Sequence, residues 1–266
     1  MKVLWLTPCY NAEHLLPFFF ASLRELNPKP DFIIFSENNS TDKTLQMLVD
    51  YKEIPNIVLK LVFIKDIVKK KGAYHPMAKI CQRLWGAARF YDTDYTILTA
   101  VDTFVRSPDA IETLIDWNVD FVTARVARSF PEGLMISAKW KHPTNPKLHR
   151  MFKPQLMLRW LVKGELLTAR IMNKPVKLLD DTPLMASGFF CFSRKLVQDK
   201  RLNWFPIPKS PVKGDHCSED FGFCKNAAKL GYKIHLDELV ILDHVVYDKH
   251  HLTKAWTLGA SDKFEF

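Results

Sequence analysis

Short apolar runs alternate with helix-like segments along the first 125 residues, and this alternation limits the fold more than any other feature. Lys2–Thr7 reads as a short buried strand, Asp31–Ser36 as a second, Val58–Ile64 as a third, Tyr95–Thr99 as a fourth and Phe121–Arg125 as a fifth. A helix is expected over Glu13–Leu26, where Leu15, Leu16, Phe19 and Leu23 recur at helical spacing. Ser40 or Thr41 offers an N-cap for a second helix running to about Tyr51. A third spans about Met77 to Tyr91, and a fourth Pro108 to Asn118, with Pro at the first helical position behind Ser107. Strands and helices in this order argue an α/β fold, with a mostly parallel sheet covered by helices on both faces.

The second half is less regular. Pro143, Pro146 and Pro154 interrupt it before an apolar run, Leu156–Met172, which reads as a helix weakened at Gly164. Leu184–Ser193 reads as a strand, with Gly188 where a side chain would obstruct a neighbour. Trp204–Gly214 reads as a loop. Ser218 is a candidate cap for a helix over Glu219–Leu230, ended by Gly231. A last strand, Glu238–Asp243, is expected to lead to His244.

Composition excludes several classes. At 266 residues, 47% hydrophobic and 25% charged, the chain has the make-up of a globular protein with a sizeable core. No apolar stretch reaches the roughly 20 residues that span a bilayer. The start, MKVLWLTPCYNAEHLL, reads as the fold's first strand, because it lacks a signal peptide's apolar centre and cleavage site. Five widely spaced cysteines form no CxxC pair, so neither a disulfide framework nor a zinc site is indicated. A cytoplasmic location is expected, with a peripheral membrane position also compatible.

Charge is segregated. Between Phe121 and Leu179 twelve Lys or Arg face only Glu132 and Glu165, a net of +10; the remainder carries 26 basic and 27 acidic residues. A block of one sign reads as a surface for a polyanion.

Asp102 stands just behind the fourth strand. A carboxylate there lies at the carboxyl edge of the sheet, where open α/β sheets bind ligands, and suits Mg²⁺ or Mn²⁺ clamped on phosphates. Read without further context, it serves equally well to cap a loop.

Four segments then converge. TPCYN (Thr7–Asn11), SENNSTDKT (Ser36–Thr44), AVD (Ala100–Asp102) and SED (Ser218–Asp220), followed by His244, resemble in order and separation the GT-A nucleotide-sugar glycosyltransferases, specifically the family 2-like group. Glu37 and Asn38 stand where the second motif usually has two acids. Ala100 replaces the first acid of the Asp-x-Asp metal motif.

The resemblance implies a GT-A, Rossmann-like sheet with a basic, partly helical insertion on the acceptor side. Residues 1–125 would form the nucleotide-sugar-binding half of one domain, and 126–266 the acceptor-binding and catalytic half. It implies Asp102 and His244 as metal ligands for Mn²⁺ or Mg²⁺, and Asp220, with Glu219, as the catalytic acids. Asp220 would be the general base in an inverting displacement. The donor, a nucleotide diphosphate sugar with a UDP-sugar favoured, would meet Thr7, Pro8, Tyr10, Glu37, Asn38, Asp42 and Val101, with Lys71 and Arg83 near the diphosphate. From the residues alone, Glu219 and Asp220 read first as complements to the positive end of their helix, and Lys71 and Arg83 read as solvated cations as well.

The acceptor falls to the basic block, where Arg128, Lys139, Lys141 and Arg150 are interleaved with aromatics such as Trp140, and to Gly188. Cations that track a phosphate backbone beside aromatics that stack on bases suit DNA, with a hydroxymethylated base as acceptor. The run Leu156–Met172, with Arg159, Lys163 and Arg170, also suits an interfacial helix on anionic lipid and hence a lipid-linked or cell-envelope glycan. A third reading is a degenerate transferase fold kept as a nucleic-acid-binding module.

Overall fold

The computed structural model describes residues 1–51, 58–63, 75–124, 127–130, 133–136, 176–177, 189–204, 219–237, 240, 242–248 and 251–257, and the account below is confined to them. The first half alternates β1 (Val3–Cys9), α1 (Leu16–Glu25), β2 (Phe32–Glu37), α2 (Thr44–Asp50), β3 (Val58–Phe63), α3 (His75–Ala88), β4 (Tyr95–Thr99), β5 (Thr103–Val105), α4 (Ala110–Ile115) and β6 (Phe121–Ala124). There follow β7 (Ala127–Phe130), β8 (Gly133–Ile136), β9 (Val176–Lys177), β10 (Phe189–Ser193), α5 (Arg194–Gln198), α6 (Glu219–Lys229), β11 (His235–Asp237), β12 (Leu242–Asp248) and β13 (His251–Thr257).

An eight-stranded sheet runs in the order β3-β2-β1-β4-β10-β6-β11-β9. Six of its strands point the same way; β10 lies antiparallel between β4 and β6, and β9 antiparallel beside β11. The two halves of the chain therefore share one sheet. The order reverses between β1 and β4, the switch point at which open α/β sheets leave a crevice outside their carboxyl ends.

Alternation along β1 builds the two cores. Val3 and Trp5 point to one face, where Leu16, Phe19 and Leu23 of α1 and Ile111 and Leu114 of α4 cover them. Leu4 and Leu6 point to the other, under Leu84 and Trp85 of α3, Leu196 of α5 and Phe223 of α6. All four β1 side chains are essentially buried, as expected for a strand sandwiched between helical layers. Each aliphatic side chain so buried contributes roughly 1.5–3 kcal/mol.

Several boundaries differ from the expectation for physical reasons. Residues 12–15 form a turn, with the Leu15 and Leu16 N–H groups donating to the Ala12 carbonyl, so α1 begins at Leu16 with Pro17 in its first turn. Helix α2 begins at Thr44 rather than behind Ser40 or Thr41. The Ser40 hydroxyl accepts from the Asn11 N–H instead, while Thr41 donates to the Asn11 side chain. Helix α4 is shorter than Pro108–Asn118, because Pro108 and Asp109 lie in the preceding turn and Asn118 turns left-handed at φ 48°. The expected strand ending at Asp243 is displaced: β12 begins at Leu242, and His244 lies within it. Glycine at 231, with φ +89°, ends α6 as expected. Among the described residues no helix is long and apolar enough to cross a membrane.

Candidate functional site at the carboxyl edge

Strands β1, β2 and β4 are parallel neighbours, so the loops after Cys9, Glu37 and Thr99 emerge at one edge. The loops after β1 and β2 are laced together. Ala12 donates its N–H to the Thr44 hydroxyl at 2.7 Å, Glu13 to the Asp42 carboxylate at 3.1 Å, and Lys43 to the Glu13 carboxylate at 3.0 Å. The Asn11 side-chain oxygen accepts the Thr41 N–H at 2.9 Å, and the Asn38 amide donates to the Cys9 carbonyl at 2.8 Å. Asn11 and Asn39 both sit left-handed, at φ 47° and 63°, a conformation asparagine tolerates better than most side chains.

This lacing occupies residues expected to face the donor. Glu37 is buried, and its carboxylate accepts the N–H groups of Asn39 at 3.0 Å and Ser40 at 2.6 Å. Asn38 is likewise turned inward, onto Ser36 and Cys9. Glu37 and Asn38 thus brace the loop from within. Thr7 is fully buried, its hydroxyl accepting from the Trp5 indole at 3.1 Å, and Pro8 is buried too. Tyr10, just past the end of β1 and 38% exposed, does offer side-chain surface.

Asp42 is half-buried. Desolvation pushes its carboxyl up, but hydrogen bonds from the Thr44 hydroxyl and N–H and from the Glu13 N–H outweigh that and hold it below the ordinary range. The Cys9 thiol is pushed far up, first by burial and then by the Glu37 charge.

Asp102 stands on the opposite side of the switch point, half-buried, with the Thr103 hydroxyl 3.5 Å from Oδ1. Val101 beside it packs on the core. Strand β5 starts at once and pairs antiparallel with β12, setting His244 directly opposite Thr103. Two segments 141 positions apart in the chain thereby meet one residue from Asp102. This contact was invisible in the sequence, since β5 is too short to leave a pattern. Strand β7, which carries Arg128, lies against β12 and β13.

Glu219 and Asp220 open α6. That helix returns the chain to the start of β11, which is parallel to β6, so its first turn lies at the same carboxyl edge. Both acids are half-buried and lie near Cys81 of α3, whose thiol is pushed up by burial and then by the charges of Glu219 and Asp220. Arg83, two residues further along α3, is exposed. Among the described residues no three His, Cys, Asp or Glu side chains gather into a metal site. Lys71, Lys139, Trp140, Lys141, Arg150, Gly188 and the run 156–172 lie outside the described residues.

The fold is that of the GT-A nucleotide-sugar glycosyltransferases. The glycosyl transferase family 2 profile matches residues 5–73, the segment that carries the laced loops. Two solved structures of S. aureus TarS (residues 1–349) superpose on the chain. The complex with UDP-GlcNAc does so with a TM-score of 0.59 at 15% identity, over 96% of this chain and 62% of that one. The complex with UDP gives 0.56 at 14% identity, over 90% and 58%. The chain thus spans about three-fifths of the TarS fragment. A search of curated proteins finds no match.

Proposed function

We propose that the protein is an inverting glycosyltransferase that moves a sugar from a nucleotide diphosphate sugar to a hydroxyl acceptor. The observation that carries this reading is the pairing of Thr103 with His244, which sets an imidazole-bearing residue beside Asp102 at the switch-point crevice. In this reading residues 1–125 hold the donor and 126–266 supply the acceptor site and the base.

A carboxylate and an imidazole fit a divalent ion such as Mn²⁺ or Mg²⁺ as a pair of donors, provided donor oxygens and water complete the shell. When bound, the ion supplies charge neutralisation at the leaving diphosphate. The chain's own residues do the rest. Tyr10, exposed just behind β1, offers its ring to the nucleoside base. The laced loops fix the backbone against which the base and ribose are read. Arg83 and Lys71 are the cations for the diphosphate. Asp220 takes the proton from the attacking hydroxyl, with Glu219 beside it. UDP is the favoured nucleotide, and UDP-GlcNAc, bound by TarS, is the first donor to try.

The acceptor is polyanionic in this reading. The basic residues of 121–179 extend well beyond the apolar run 156–172, which favours DNA carrying a hydroxylated base, held by Arg128, Lys139, Trp140, Lys141 and Arg150. The apolar run itself favours a second reading, a lipid-linked or envelope glycan at an anionic membrane.

A thermal-shift screen of nucleotide sugars with Mn²⁺, followed by transfer assays on hydroxymethylated DNA and on lipid-linked glycans, tests the proposal. Stabilisation by a nucleotide sugar and transfer to either acceptor supports it. No stabilisation by any donor, with or without the ion, counts against it. Charge reversal at Lys139, Lys141 and Arg150 is expected to weaken duplex binding and flatten its salt dependence; unchanged binding would remove DNA as the acceptor.

A further inference from the structure

Helices α3 and α6 are tied together through a segment that belongs to neither. Residues 197–204, the end of α5 and the stretch behind it, are tied to α3 and to the residue that follows that helix. Arg89 at its end donates to the Val197, Asp199 and Leu202 carbonyls at 2.9, 2.9 and 3.2 Å. Gln82, next to Cys81, accepts the Trp204 N–H on Oε1 at 2.7 Å, and its amide reaches Asn203 at 3.4 Å. The same segment is tied to α6, because Asn226 donates to the Arg201 carbonyl at 3.3 Å.

At the end of the brace, the Trp204 ring stacks on Phe223 at 4.3 Å between centroids and 18° between planes. Trp85 meets Phe223 edge-on at 5.1 Å. Phe223 lies one turn beyond Glu219 and Asp220, on the side-chain spacing that shares a helix face. The indole N–H groups of Trp85 and Trp204 are buried and make no hydrogen bond among the described residues. The cluster therefore acts on α6 through shape alone.

We propose that Gln82 and Trp204 are positioning residues that fix the first turn of α6, and so Asp220, against α3. The kinetic part rests on the reading of Asp220 as the base; the structural part does not. Gln82→Met removes the acceptor for the Trp204 N–H while keeping the side chain's length. Trp204→Ala removes the stack, and Trp204→Phe keeps an aromatic ring there without the idle N–H.

Three readouts apply to each variant of the full chain: labelling of Cys81 by N-ethylmaleimide, mapped by mass spectrometry; UDP affinity by calorimetry; and UDP release from UDP-GlcNAc with Mn²⁺. Gln82→Met and Trp204→Ala are expected to raise Cys81 labelling about tenfold by local opening. They are expected to cut UDP release by roughly ten- to a hundredfold, as misplacement of a reacting group does, with UDP affinity unchanged. Trp204→Phe is expected to match the parent in all three. Unchanged Cys81 labelling in both disruptive variants overturns the proposal, as does a Trp204→Phe variant as impaired as Trp204→Ala. A parent that neither binds nor releases UDP speaks against the donor reading, and the labelling then decides the brace by itself.

Discussion

Two regions at the carboxyl edge of the sheet are held by different forces. On the β1–β2 side, polar side chains lace one loop to the next through backbone N–H groups, and Glu37, Asn38, Asp42 and Thr44 are occupied in doing so. At the first turn of α6, the acids sit above an aromatic cluster of Trp85, Trp204 and Phe223 that contributes packing and no side-chain hydrogen bonds. Hydrogen bonds set directions for backbone that must meet a ligand. Packing holds a helix in place without directing any of its side-chain polar groups.

Asp220→Asn should produce the largest effect on the reacting side. Turnover should fall about 10²- to 10⁴-fold, the usual worth of a general base, while calorimetry finds donor affinity unchanged. Equal turnover would remove Asp220 from the reaction. Asp102→Ala should follow with a loss of about 10²- to 10³-fold in UDP release, as for removal of one group that stabilises leaving-group charge. If the variant retains the parent's rate across a Mn²⁺ titration, the site at β5 is wrongly read.

The laced side should answer through stability instead. Thr44→Val leaves the buried Ala12 N–H without its acceptor and should cost about 1–3 kcal/mol in chemical denaturation. Donor affinity should fall with it, and turnover at saturating donor should persist. A variant that loses turnover but not stability would erase the distinction between the two sides.

Acid titration gives a smaller test of the same lacing. The Asp42 carboxyl titrates below its unfolded value of about 4. Its contribution is therefore complete above that value and is lost as the pH falls through the lower, folded one. Asp42→Asn should flatten this part of the acid limb of the stability curve, and an unchanged limb would assign the loss to other carboxylates. The smallest effect is expected at Asn39, whose left-handed backbone glycine adopts without strain. Asn39→Gly should shift stability by only a few tenths of a kcal/mol, whereas a marked loss would show that the Asn39 side chain belongs to the lacing.

Much of the order of elements could be read from the chain, because strands buried on both faces and amphipathic helices leave distinct periodicities. The apolar runs at β1, β2, β4 and β6 and the helix opened by Glu219 and ended by Gly231 lie where the spacing puts them, give or take a turn. The antiparallel insertion of β10 and the three-residue β5 did not show, since neither direction nor pairing partner is encoded in local pattern. For Glu37 and Asn38, motif position says nothing about which way a side chain turns. Their carboxylate and amide went instead to nearby backbone groups, which cost free energy if left unpaired in a buried loop.

Sequence alone determined the alternation, the segregated charge and the presence of Asp102, Asp220 and His244, all properties of residue type and spacing. Tertiary structure decided that β12 crosses to β5 and sets His244 opposite Thr103, and that Gln82 holds Trp204 where it stacks on Phe223 of α6. The pairings of Thr103 with His244 and of Gln82 with Trp204 join positions 120 or more apart in the chain, and they form only when the sheet and its helices close around shared cores that no local segment can build.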